Sequence, residues 1–252
     1  MKEPFPGAAP DDLRLLHIDL DTMFVMSASG RIERQNDPDC SAGPRVFLAG
    51  CPFGNLIRIR NDVDERIAVT ILEVAAKEPP WRDPEVIPGS VAEIVELLAD
   101  NPAPAVGPHL IYRLLNGLEY EHPAAIVRGD SEEGRELLAR LFDRGMPDYM
   151  VTAGFKSIAD FWEPWCVALE GEEIASMCFA ARLGDKGAEA GVYTFPNYRG
   201  RGLAAAVTAS WASMRSLSRR ALFYSTSKSN RSSQRVAARL GLRQIGASVN
   251  IG

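Results

Sequence analysis

Apolar positions along the chain switch period several times, and each switch marks an element. Leu13–Met26 is so rich in apolar residues that it fits a helix or a buried strand alike; periodicity does not choose between them. Arg45–Leu48 and Leu56–Arg60 are short strand-like runs around a Gly-Cys-Pro-Phe-Gly turn. Val63–Ala76 sets Ile67, Ile71 and Val74 on one helical face and stops before Pro79-Pro80. Ser90, with Glu93 three residues on, predicts the N-cap of a helix over Val91–Ala99.

Beyond Pro108 strand and helix patterns alternate. His109–Leu115 and Ala124–Arg128 read as strands, and Ser131 caps a helix running to about Arg144. A weaker helix is expected over Lys156–Trp162. Three successive strands follow, Cys166–Leu169, Glu173–Arg182 and Glu189–Phe195, joined by tight turns. Then come a helix from Leu203 to about Leu217, a strand Ala221–Ser225, a helix from about Ser232 to Leu240, and a last strand Arg243–Ile251. This alternation implies an α/β layer structure. DNPAPAVGP, Asp100 to Pro108, has three prolines in nine residues and is the best linker candidate. It divides the chain into residues 1–105, a smaller α/β or α+β domain, and residues 106–252; a boundary near Pro123 is the alternative.

Composition narrows the function classes. The 252 residues are 46% hydrophobic and 24% charged, an ordinary globular balance with enough apolar residues for a core. The net charge of −5 gives no overall attraction to nucleic acid or anionic lipid. No apolar run reaches the ~18 residues of a membrane span. The N-terminal MKEPFPGAAPDD has no apolar stretch of the signal-peptide kind. Four scattered cysteines and three histidines form no zinc pattern, so no metal is expected, and the cysteines read as reduced core thiols of a cytoplasmic protein.

The most informative stretch is FPNYRGRGLAAAV, Phe195 to Val207. It follows a strand and opens a helix, whose first backbone N–H groups lack internal partners and carry the positive end of the dipole. Such an end is an anion site. Gly200 and Gly202 let backbone approach the anion, Arg199 and Arg201 add charge, and Leu203 and Ala204 start a slim first turn. The order of residues is neither the GxGxxG dinucleotide fingerprint nor a P-loop. An exposed basic turn, or an arginine-rich nucleic-acid patch with Arg215, Arg219 and Arg220, competes with this reading, although no aromatic stacking platform accompanies it.

Arg199-x-x-Gly202-x-Ala204 resembles the R/Q-x-x-G-x-G/A signature of the GCN5-related N-acetyltransferase (GNAT) family. Asn230-x-x-Ser233-x-x-Val236-Ala237-x-Arg239-Leu240-Gly241-Leu242 is similar to a second family segment, one helix and one strand downstream. The resemblance covers roughly Ala124 to Gly252. It implies a mixed sheet flanked by helices, acetyl-CoA as co-substrate, and acyl transfer to an amine, carried by a small molecule or a protein. It implies that the loop from Arg199 to Ala204 holds the pyrophosphate. Val192, Tyr193 and Thr194 on the preceding strand would align the pantetheine arm, and Asn230 and Ser233 would also reach the cofactor.

Glu189 stands where histone-type members carry a glutamate base; a surface glutamate on an exposed strand face is the equal alternative. The family's usual helix tyrosine, which protonates the leaving thiolate, is replaced by Ala237. Ser233 is the nearest hydroxyl on that helix and the candidate acid, with Ser225 or Tyr224 as strand alternatives. The missing tyrosine also keeps open a protein that binds acyl-CoA without transferring the acyl group. The Asp-x-Asp of LHIDLDTMF, Leu16 to Phe24, has the look of a metal-site motif, but a core element with two polar positions is the better account. Phe155, Phe161, Trp162 and Trp165 are expected in core packing. Oligomeric state is not readable.

Overall fold

The last strand of the chain joins its two halves. In the computed structural model, which describes residues 5, 7–98 and 107–252, the N-terminal part supplies helix α1 (Asp12–Met23), a small ribbon β1 (Phe24–Met26) and β2 (Ile32–Gln35), hairpin β3 (Val46–Cys51) and β4 (Gly54–Ile59), and helices α2 (Glu65–Ala75) and α3 (Ser90–Leu98). After residue 107 come β5 (Pro108–Leu114), β6 (Ala125–Arg128), α4 (Glu132–Arg144), α5 (Asp148–Thr152), β7 (Trp165–Glu170), β8 (Glu173–Leu183) and β9 (Gly187–Thr194). Helix α6 (Leu203–Ala212), β10 (Ala221–Ser227), α7 (Arg231–Arg239) and β11 (Arg243–Ile251) complete it.

Nine strands form one mixed sheet in the order β4-β3-β11-β5-β10-β9-β8-β7-β6. β11 pairs antiparallel with β5 on one side and with β3 on the other, so the N-terminal hairpin extends the same sheet. All neighbours are antiparallel except β9 and β10. That parallel pair is matched at only three positions, Gly187–Glu189 against Ala221–Phe223. Beyond Glu189 the two strands part, and backbone groups that would have bonded each other face an opening.

Helices cover both faces. On one, Leu203, Val207 and Trp211 of α6 pack with Ala188, Ala190, Leu222 and Tyr224, while α2 and α3 pack with Val46, Leu48 and Val249. On the other, Leu16 and Leu20 of α1 pack with Phe47, Phe223 and Ile245. Helix α4 and α5 close the far end of that face over Val167, Met177 and Tyr193.

Two local features seat α1. Asp12, fully buried, receives two hydrogen bonds from the Arg243 guanidinium on β11, at 2.7 and 2.8 Å. Gly187 lets α1 lie against the start of β9, because a Cβ there would overlap the Thr22 hydroxyl. Helix α1 therefore crosses the sheet directly below the opening.

Most predicted elements stand close to their expected bounds. Leu13–Met26 resolves into a helix followed by a three-residue strand. Ser131 caps α4 by accepting from the Gly134 N–H. Ser90 does not cap α3: it is the helix's first residue, and its N–H donates to the Glu78 carboxylate at 2.6 Å. The helix expected over Lys156–Trp162 is a single turn, Ile158–Asp160, with Ser157 and Asp160 forming a reciprocal cap. Pro164, which disfavours helix in the residue before it, lies just beyond. α5 was not foreseen, and at five residues it is too short to show a periodic stripe. α6 stops at Ala212, with the rest of its expected length turning as Arg215–Leu217. Most of the proposed linker, residues 100–106, lies outside the described residues.

Candidate active site

Two cavities meet where β9 and β10 part. The first, about 540 Å3, lies on the α6–α7 face. The second, about 450 Å3, lies on the α1 face. Val192, Tyr224, Asn230 and Ser233 line both, so the two spaces join through the opening in the sheet.

The first cavity is built on the loop before α6. Gly200 and Gly202 have φ of 80° and 87°, a conformation other residues adopt at a cost. Gly202 is the N-cap and brings no side-chain acceptor to the helix start. Bonding within α6 begins with the N–H of Ala205 and Ala206 to the Gly202 carbonyl, so the N–H groups of Leu203 and Ala204 precede the internal ladder. No acidic residue stands in the first turn. Arg199 from the loop and Arg235 and Arg239 from α7 line the same space. A Cβ on Gly202 would lie 2.9 Å from the Arg239 guanidinium, which shows how closely that cation approaches the helix start. The arrangement is a dipole end with three guanidinium groups around it, suited to a multiply charged anion.

Gly200, Leu203 and Ala204 also line this cavity, and from β9 so do Val192, Tyr193 and Thr194. Phe195 N–H donates to Ala175 on the β8 side, so by strand alternation the backbone groups of Val192 and Thr194 face the opening. Arg201 is the exception among the expected loop residues. Its guanidinium turns toward Glu170 at 3.8 Å and lies over the Tyr198 ring, and it lines neither cavity. Its backbone carbonyl is bonded by His122 Nε2 at 2.9 Å, which pins the loop from outside.

Asn230 is the N-cap of α7, its side-chain oxygen accepting from the Ser233 N–H at 3.1 Å. Ser233 Oγ stands 2.6 Å from the hydroxyl of Tyr224, which reaches across from β10. Tyr224 is buried, and that burial pushes its phenol up to about 12 despite the bond to Ser233. It stays protonated through the physiological range. The hydroxyl pair sits at the junction of the two cavities.

The second cavity is acidic on one wall. Glu189 is 7% exposed, not the surface glutamate of the competing expectation. It accepts a hydrogen bond from the Ser225 hydroxyl on β10. Burial raises its carboxyl above the usual range, and the Ser225 bond and the Arg182 charge only partly offset this. Asp19 of α1 comes beside it. Burial pushes the Asp19 carboxyl well up, and the Glu189 charge adds to the shift. Arg182 of β8 sits opposite Glu189 in the strand register but is engaged with Asp37 at 3.4 Å and with Gln35.

Asp19 is a residue that sequence reasoning passed over as a polar core position. The signal was present: Asp19 falls on the stripe of α1 that carries Leu15, Leu16 and Leu20, all buried. Arg235 likewise went unassigned, although it stands one helical turn from Arg239. Among the described residues no group of three or more His, Cys, Asp or Glu side chains is placed to hold a metal. None of the described helices is long and apolar enough to cross a membrane. Phe155, Phe161, Trp162 and Trp165 line neither cavity; they pack edge to face with Phe179, Tyr193 and one another.

Residues 147–247 match the family model of the GNAT acetyltransferases. None of the curated proteins matches the chain. Among solved structures, a GNAT-family protein from Novosphingobium aromaticivorans is 22% identical over 59% of this chain, with a TM-score of 0.40, and the match spans 65% of that chain's length. A GNAT-family acetyltransferase from Colwellia psychrerythraea is 12% identical over 97% of both chains, with a TM-score of 0.42. A tandem GNAT protein from the clavulanic acid biosynthesis pathway is 13% identical over 96% of this chain and 95% of its own, with a TM-score of 0.43. The family match runs from α5 into β11 and takes in the loop, the opening and both motif segments, so residues 147–247 of this chain are similar to a GNAT acetyltransferase domain, with a further N-terminal part before them.

Proposed function

We propose that the protein is an N-acetyltransferase that moves the acetyl group of acetyl-CoA directly to a primary amine. The observation that carries this reading is the junction of an anion-binding cavity with a carboxylate-walled cavity through the gap between β9 and β10. The pyrophosphate of the co-substrate belongs at the α6 N-terminus, with Arg199, Arg235 and Arg239 around it. Its pantetheine arm follows the unpaired edge of β9, and the Val192 N–H is the donor for the thioester oxygen as negative charge develops there.

The acceptor arrives mostly as its ammonium ion, since a free amine of this kind has pKa about 10.4. Glu189 takes one N–H proton, and the nitrogen lone pair attacks the thioester carbon. The C–S bond breaks with its electron pair on sulfur. The second N–H proton passes to water as the amide forms. The thiolate is protonated from the Ser233 hydroxyl, which takes a proton from Tyr224 through their 2.6 Å contact. Water then returns a proton to Tyr224, and Glu189 releases its proton to solvent to close the cycle. Holding both reactants in one site is worth several kcal/mol, up to roughly 7–11. The enzyme would work in the cytoplasm, where acetyl-CoA is at hand and the buried thiols of Cys51, Cys166 and Cys178 stay reduced.

Thiol release from acetyl-CoA, followed across a panel of amines with mass-spectrometric detection of the acetylated product, tests the proposal. Amine-dependent release with matching product supports it. Tight acetyl-CoA binding with no product from any amine favours the acyl-CoA-binding alternative.

A further inference from the structure

The acidic wall of the second cavity is answered only in part, by an Arg182 that is also engaged with Asp37. Asp12 and Asp19 lie on the same face of α1, two turns apart, and both are buried. Asp12 is met by Arg243. Asp19 is 3% exposed, its Oδ1 has no hydrogen-bond partner, and among the described residues neither Asp19 nor Glu189 forms a salt bridge. An unpaired buried carboxylate costs several kcal/mol of desolvation, and two together cost more, since like charges oppose each other's ionisation. Such an arrangement is kept where function uses it.

The other groups facing the pair do not supply the balance. Arg182 is matched by Asp37, which is itself buried. Burial lowers the basicity of His109 on β5, so it faces the cavity as a neutral ring. Tyr224 is neutral. With Asp37 and Arg182 offsetting one another, the wall has room for positive charge. Hydroxyl and amide groups, Gln35, Ser225, Ser248 and Asn250 among them, share the rest of the lining with apolar residues such as Met23, Phe47 and Ile111. A space of about 450 Å3 lies at the compact end of ligand sites.

We infer that the acceptor is a compact hydrophilic amine which enters as its ammonium cation and is held between the carboxylates of Asp19 and Glu189, its remaining hydroxyl or amide groups met by Gln35, Ser248 and Asn250. This rests on the acetyl-transfer reading for the reaction that follows, but not for binding. In the free protein one proton stays on the carboxylate pair. Entry of the cation displaces that proton to solvent, and the ammonium then passes its own proton to Glu189, which leaves the nitrogen lone pair free. Asp19 keeps its charge and holds the substrate; it is a binding residue, and Glu189 is the base.

Calorimetry without acetyl-CoA tests the inference. Glucosamine and putrescine serve as probes, with glucose as the neutral counterpart, in buffers of different ionisation enthalpy. Both amines are expected to bind with net proton release, and glucose is not. Asp19→Asn should weaken amine binding at least about tenfold, or 1.4 kcal/mol, and Asp19→Glu should recover part of it. Acetyl-CoA affinity, unchanged in both variants, is the control for folding. The inference is overturned if glucose binds as well as glucosamine, if Asp19→Asn binds the amines like the wild type, or if neither amine binds at about 10 mM, a range that captures even weak ligands. Failure of the acetyl-transfer reading looks different: the amines bind and acetyl-CoA does not.

Discussion

The two cavities on either side of the β9–β10 gap are made in opposite ways. The one on the α6 face is built from a short stretch of chain, Val192 to Arg239, and its chemistry is mostly backbone: glycine conformations, a helix start and arginines at fixed offsets. The one on the α1 face gathers single side chains from far apart, Asp19, Gln35, His109, Arg182, Glu189 and Ser248. A backbone site leaves a local signature, because the glycine positions and the helix start must fall at fixed spacing. A side-chain site leaves none, because each residue is placed by a different element.

That contrast predicts which changes act on which side. The largest effect is expected from Glu189→Gln, which keeps shape and removes the base: kcat/KM should fall about 10²–10⁴-fold, the usual worth of a general base, with acetyl-CoA affinity unchanged. The pH profile sharpens this. The Glu189 carboxyl is raised by burial, so the active ionised form is lost as pH falls through that raised value. Wild-type kcat/KM should therefore drop on the acid side at a pH above the ordinary carboxylate range, and the Gln variant should lose that limb. A variant that kept the limb would move the base elsewhere.

Next in size, Arg239→Ala should weaken acetyl-CoA binding by about 1.5–3 kcal/mol, the worth of a hydrogen bond to a charged group. Amine binding on the other face should be untouched. Equal loss on both sides would mean that the cavities are not separable. Ser233→Ala should lower kcat about tenfold with little change in the KM for acetyl-CoA, because only the route for the final proton is interrupted. Unchanged turnover would remove Ser233 as the acid and leave Tyr224 or water.

The smallest effect concerns stability. Asp19 has its carboxyl raised on folding. The stability linked to its proton is fully present below the unfolded-state value and is lost as pH rises through the raised folded value. Asp19→Asn has no such loss. Its melting temperature should exceed the wild type by about 2–4 °C per kcal/mol recovered, with the gap widening from acid to neutral pH. A gap that narrowed as pH rises would contradict the buried, unpaired carboxylate.

How much of this the sequence could show follows from the same contrast. The strands β7 to β11 and helices α4, α6 and α7 were legible because each carries its own local signal, a period and, for α4, also a cap, Ser131. The anion loop was legible for the same reason. Arg201 was not, since its direction depends on Glu170 and the Tyr198 ring from other segments. Ser90 failed as a cap because Glu78, twelve residues upstream, took the role by folding back. Asp19 was visible as an acid on an apolar stripe, but only the seating of α1 against Gly187 reveals that it meets Glu189. The pairing of β11 with both β3 and β5 was also hidden, because strand periodicity says which face is buried and not which neighbour is chosen.

The central claim is that acetyl-CoA is held at the α6 N-terminus. Calorimetric titration of the wild type with acetyl-CoA, beside an Arg199→Glu/Gly202→Glu double variant, tests it most directly. Binding by the wild type, and a loss of at least about 100-fold in the variant, equivalent to 2.7 kcal/mol, is the predicted result. Equal binding by both proteins, or none by a folded wild type, would contradict it.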